Sequence, residues 1–239
     1  MKNDWLVIFM NPVKELSQLF IDGEHSLSWS YLNSMIEADT TSMEVYGFLS
    51  DTMDNVGELW EMNRATVADE YVAAAVCKSM ISSYYYLKVE QLHKEPNILS
   101  PATIKPRVML LSMRNEEHTI GMMMTSFLFK EYGWEASCIE SNVSMDHIRQ
   151  YAEKWKPDVI AFSTSVLCNI PTVIQYMDDL QKLNYSPTIM LGGKLTSDFD
   201  LDYYCPPNTV VIQNIDQLGS WIEKSNARND RHGNAINRK

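Results

Sequence analysis

The hydrophobic pattern changes its period near residue 100, and that change constrains the fold of this 239-residue chain more than any single motif. Before it, from about residue 12 to 92, apolar side chains recur at three- and four-residue steps. Leu16, Leu19 and Phe20 open the first stripe, and Trp29, Leu32 and Met35 mark a second over 28–37. Tyr46, Leu49, Met53, Val56 and Leu59 run through 43–60, and 64–92 makes a fourth. A period near 3.6 in four blocks predicts four helices. The polar runs Asp39-Thr40-Thr41-Ser42 and Asn63-Arg64-Ala65-Thr66 supply caps between them, with Ser42 read as the cap of the third helix. Short connections between such helices imply an antiparallel four-helix bundle, here over 1–95.

Pro96, Pro101 and Pro106 interrupt both periods and mark 96–106 as a linker. Beyond it the grammar is strand, loop, helix, repeated. Strands are expected at 107–113, 135–139, 158–163, 188–191 and Val210-Val211, and helices at 121–132, 144–155, 170–183 and 216–224. Apolar runs alternating with amphipathic helices predict a doubly wound, flavodoxin-like parallel sheet over 107–225. Ligands of such folds bind beyond the carboxyl ends of the strands. Residues 226–239 are polar and basic without a period, and are expected to be a flexible tail.

Composition narrows the function classes. Against 31 acidic residues stand 20 basic ones, a net charge of −11, so a standing grip on a polyphosphate backbone is excluded. Cys77, Cys138, Cys168 and Cys205 form no CxxC pair, which argues against a zinc knuckle or a thioredoxin-type motif and for a reducing cytoplasm. Cys138 and Cys168 read as buried thiols. The apolar run Trp5 to Met10 is too short to span a bilayer and has no cleavage pattern after it, so neither export nor a membrane span is expected. Of Tyr84, Tyr85 and Tyr86, at least one must be exposed on a helix, a candidate for self-association. Met122, Met123 and Met124 read as core filling.

The loop after the first expected strand, Asn115-Glu116-Glu117-His118-Thr119-Ile120-Gly121, sets an imidazole at the mouth of the sheet. A lone loop histidine is more often solvated surface. Glu116-x-His118-x-x-Gly121, however, resembles the Asp-x-His-x-x-Gly signature of cobalamin-binding domains. Two further family marks follow in order, Ser163-Thr164-Ser165-Val166-Leu167 and Leu191-Gly192-Gly193. The resemblance implies that His118 is the lower axial ligand of cobalt, that Ser163 and Ser165 line the cofactor's buried nucleotide tail, and that Gly192 and Gly193 let backbone approach it. A neutral imidazole suits a borderline transition metal, and an acidic neighbour on its other nitrogen fixes the tautomer, the part implied for Glu116. Glu replaces the commoner Asp there and is more typical of the family's light-sensing branch.

The helical half adds Gly57-x-x-Trp60, Glu70 ten residues after the tryptophan, and an alanine-rich stretch at 73–75. This is similar to the segment capping the upper cobalamin face in methionine synthase modules and in cobalamin photoreceptor regulators. The resemblance implies that Trp60 packs over the upper axial position, with Glu70 and Tyr71 beside it. Taken alone, Trp60 reads as a core residue and Glu70 as a solvated acid. Tyr71 departs from the photoreceptor pattern, which has histidine there, and no histidine lies between His25 and His93.

Two functions follow from the resemblance. The first is a light-responsive adenosylcobalamin sensor, its bundle and sheet domains clamping the corrin. It is expected without a DNA-binding domain, and therefore signals to a partner protein such as a transcription factor, or by self-association. The alternative is a corrinoid protein carrying methyl groups between methyltransferases, with methylcobalamin as its charged form. A third reading, a member that has lost the cofactor, is opposed by His118, Ser163 and Gly192-Gly193.

Overall fold

The structure, a computed structural model, describes residues 11–94, 105–113, 119–140 and 143–236, and the side chains of all of these except 92–94 and 228–236. Its chain divides into two compact units, Met1–Gln91 and Leu92–Lys239. The expected linker falls almost wholly outside the described residues.

In the first unit, helices begin where side chains can take up their free N–H groups. Asn11 accepts from the Val13 N–H at 3.0 Å and Pro12 occupies the first turn of α1 (Pro12–Ile21). Helix α2 follows (His25–Met35). Helix α3 (Ser42–Glu61) is capped by Thr41, not by Ser42 as the sequence reading has it. Thr41 Oγ1 accepts from the Glu44 N–H at 3.2 Å while Glu44 accepts from the Thr41 N–H at 2.7 Å. Ser42 is instead the first helical residue, its hydroxyl turned inward against the Tyr84 hydroxyl at 3.1 Å. Thr66 and Asp69 repeat the reciprocal cap at the start of α4 (Val67–Lys94).

The apolar stripes meet as expected of a helical bundle. Leu16, Phe20, Leu32, Leu49, Val56 and Ile81 are fully or almost fully buried. Ser17 donates to the Thr52 carbonyl at 3.0 Å and ties α1 to α3. Tyr46 and Tyr84 meet edge to face at 5.6 Å and join α3 to α4. Tyr84 is therefore core, and Tyr86 is the exposed member of its triplet.

The second unit runs β1 (Arg107–Ser112), α5 (Ile120–Glu131), β2 (Glu135–Ile139), α6 (Met145–Trp155), β3 (Val159–Ser163), α7 (Ile170–Gln181), β4 (Thr188–Gly192), α8 (Lys194–Asp198), β5 (Val210–Val211) and α9 (Ile215–Ile236). The strands are all parallel in the order β2-β1-β3-β4-β5, the flavodoxin-like arrangement. Alternation along the strands sorts the core. Met109, Leu111, Ile160, Phe162, Ile189 and Leu191 pack with α6 and α7. The intervening Val108, Leu110, Ala161 and Met190 are buried on the other face, where α5 and α9 lie.

Arg107 fastens the amino ends of the strands. Its N–H donates to Asp158 at 2.8 Å, its Nε to Glu135 at 3.0 Å and its Nη1 to the Trp155 carbonyl at 2.9 Å.

Two expectations are corrected here. Helix α9 continues to Ile236 where a flexible tail over 226–239 was expected. Asn226, midway along it, fastens the helix at the start of that segment, for its carboxamide donates to the Tyr132 carbonyl at 3.0 Å and accepts from the Trp134 indole at 2.8 Å. Cys138 and Cys168 are exposed, not buried: Cys138 lies on the edge strand β2 and Cys168 in the connection between β3 and α7. Among the described residues no helix is long and apolar enough to cross a membrane.

Candidate functional site

In this sheet order the chain leaves β1 toward β2 and leaves β3 toward β4, on opposite sides. The connections diverge at that switch point and open a crevice at the carboxyl ends of β1 and β3. The register aligns three residues across it: Ser112 of β1 pairs with Ser163 of β3, which pairs with Gly192 of β4. Register partners in a parallel sheet project to one face, here that of α5. The row is thus hydroxyl, hydroxyl and no side chain.

The Ser112 hydroxyl oxygen is buried with no hydrogen-bond partner, although the residue keeps some exposure. Leaving a buried hydroxyl unmatched costs about 1–3 kcal/mol. Gly121, on the first turn of α5, is exposed, and a Cβ there would meet nothing within 4 Å. An alanine would favour the helix by about 1 kcal/mol, so nothing in the described chain asks for glycine. The unmatched Ser112 hydroxyl fits a polar-edged group seated against the α5 face.

The glycine pair divides by role. Gly193, at φ +115°, lies so close to β3 that a Cβ would fall 2.7 Å from the Thr164 nitrogen and closer still to its carbonyl oxygen. A Cβ on Gly192 would only touch the Ile212 carbonyl at 3.7 Å. Gly193 is demanded by the protein's own backbone, and Gly192 leaves room in the crevice. Thr164, just past the end of β3, also has an unpartnered buried hydroxyl. Ser165 follows, half-buried.

Glu116 and His118 lie outside the described residues. Among the described residues no group of three or more His, Cys, Asp or Glu could hold a metal ion.

In the helical unit, Trp60 is not a core residue. It is 45% exposed, and Met62, Val67, Tyr71 and Val72 around it are exposed too, Tyr71 at 60%. The α3–α4 turn presents them. Asn63 takes the left-handed conformation at φ 56°, its N–H bonds the Trp60 carbonyl at 2.9 Å and that of Arg64 the Leu59 carbonyl at 2.8 Å. This double closure ends α3 one residue beyond the tryptophan. Trp60, Glu61, Asn63, Ala65 and Thr66 line an open concavity of about 560 Å³. Glu70 is half-buried on the first turn of α4. Beside it, the Thr66 N–H holds the Asp69 carboxyl below the usual carboxylate range.

The sequence reading missed Ser112. It closes an apolar run, and its pairing with Ser163 arises only from the register.

Comparison with known proteins agrees with both halves. Residues 106–212 match the model of a family described as B12 binding domain, and residues 13–84 match a second family of the same description. Among solved structures, a monomethylamine corrinoid protein of Methanosarcina barkeri shares 14% identity at a TM-score of 0.67, over 86% of this chain and 94% of that one. A methanol:cobalamin methyltransferase complex of the same organism gives 16% identity and a TM-score of 0.44, over 90% and 78%. A cobalamin-binding protein of Desulfitobacterium hafniense gives 13% and 0.46, over 90% and 97%. Comparison with curated protein sequences gives no match.

Proposed function

Because residues 13–84 and 106–212 match two families described as B12 binding domain, on a single polypeptide, we propose that the chain is a corrinoid protein carrying methyl groups between methyltransferases. The observation that carries this reading is the cap surface. Trp60 and Tyr71 stand exposed, and no imidazole lies near them in sequence to capture cobalt once an upper ligand is lost. Such a surface suits a small apolar group on the cofactor better than a light-driven exchange of ligands.

When bound, cobalamin supplies a cobalt centre able to accept and give up a methyl group. The chain's own residues then have separable tasks. His118 would hold the cobalt with Glu116 on its second nitrogen, Gly121, Ser163, Ser165, Gly192 and Gly193 would receive the tail, and Trp60, Glu70 and Tyr71 would keep water from the reacting group. Partner proteins supply the donor and acceptor sides, methylcobalamin being the charged form. The four cysteines are free, as a reducing cytoplasm would leave them. The fold shared with the monomethylamine corrinoid protein supports the carrier reading, while Glu116 and Thr119 lean toward a sensor.

Purified protein loaded in darkness with hydroxo-, methyl- or adenosylcobalamin, desalted and read by visible spectroscopy tests this. Retained corrinoid, lost or spectrally altered in His118→Ala, is expected, with no change of oligomer size under green light. Retention of none of the three would overturn the reading. A light-dependent change of size would replace the carrier with the adenosylcobalamin sensor.

A further inference from the structure

We infer that Ser112 selects for a corrinoid bearing its nucleotide tail, through a hydroxyl that stays unpaired until the tail arrives. The inference rests on cobalamin being bound at the α5 face of the sheet. Two observations carry it. Ser112 shares a level and a face with Ser163 and Gly192. Its oxygen is buried without a partner, while the residue itself is not sealed off. A tail base or ribose entering this row offers the polar edge that Ser112 lacks. A corrin without its nucleotide has no group to reach there.

An unmatched buried hydroxyl destabilises the protein that holds it, so removing it has opposite effects on the empty and the loaded chain. This separates a binding role from a structural one. Ser112→Ala is expected to raise the apo unfolding midpoint while weakening cobalamin about tenfold, the worth of one hydrogen bond to a buried partner. Its affinity for cobinamide, the same corrin without the nucleotide, is expected to stay unchanged. Ser112→Thr keeps the hydroxyl and should keep the discrimination. Ser28→Ala removes another unpartnered buried hydroxyl, on α2 of the helical unit, and should leave both affinities as they are.

The experiment is a titration of the full chain and these three variants with cobalamin and with cobinamide, alongside apo thermal melts. Equal losses for both corrinoids in Ser112→Ala, no loss for cobalamin, or a lower apo midpoint would each overturn the inference. Wild-type protein that retains neither corrinoid would instead overturn the cofactor assignment beneath it.

Discussion

Gly193 is held at φ +115° with Thr164 backbone against its α-carbon, a place where no side chain fits. Gly193→Ala is expected to cost about 2–4 kcal/mol in urea unfolding, from strain plus the forced separation of β4 and β3. Gly192→Ala meets only ordinary contact and should cost less than about 1 kcal/mol, while narrowing the crevice. A glycine pair is visible in the sequence, yet which of the two is structural is not. The demand comes from Thr164, just past the end of another strand, and sequence reading sees only neighbours along the chain. Trp60 has the same history. Helical spacing made it a core candidate, and only the left-handed turn at Asn63 brings the surface around it into view.

Helix starts were legible to within a few residues, because capping depends on short-range chemistry. Thr41-x-x-Glu44 and Thr66-x-x-Asp69 are written in the sequence, and both form reciprocal caps. Ser42 was preferred as a cap because nothing local revealed that the Tyr84 hydroxyl would take it. The backbone N–H of Thr41 holds the Glu44 carboxyl below its ordinary range, and that of Thr66 does the same for Asp69. Their stabilising effect is therefore complete above the unfolded carboxylate value of about 4 and is lost as pH falls through the lower folded value. Thermal melts of the helical signal should show a midpoint that drops on acidification below about pH 4, and Glu44→Gln with Asp69→Asn should flatten that drop. An unchanged acid profile in the double variant would show that the caps do not set it. The end of α9 was missed for the opposite reason. Asn226 anchors it by hydrogen bonds, and hydrophobic periodicity is blind to polar anchors.

At the scale of the molecule, the change of period near residue 100 announced two units, and two units are present. The order of the strands was not legible beyond its class, since parallel pairing joins segments far apart in the chain. The same remoteness hid Arg107, an unremarked residue before an apolar run that turns out to bind β2, β3 and α6 at once. Arg107→Ala is expected to lower unfolding stability by about 1–3 kcal/mol, its half-exposed pair with Glu135 adding little. Corrinoid affinity in the folded variant should match the wild type. A matching loss of affinity would mean that the two ends of the sheet are coupled. If they are not, the sheet has a keel and a deck. Sequence drift in the loops around His118, Ser163 and Gly192 can then proceed without scuttling the strands beneath, and a lineage built on this chain is free to exchange one corrinoid for another while inheriting the same hull.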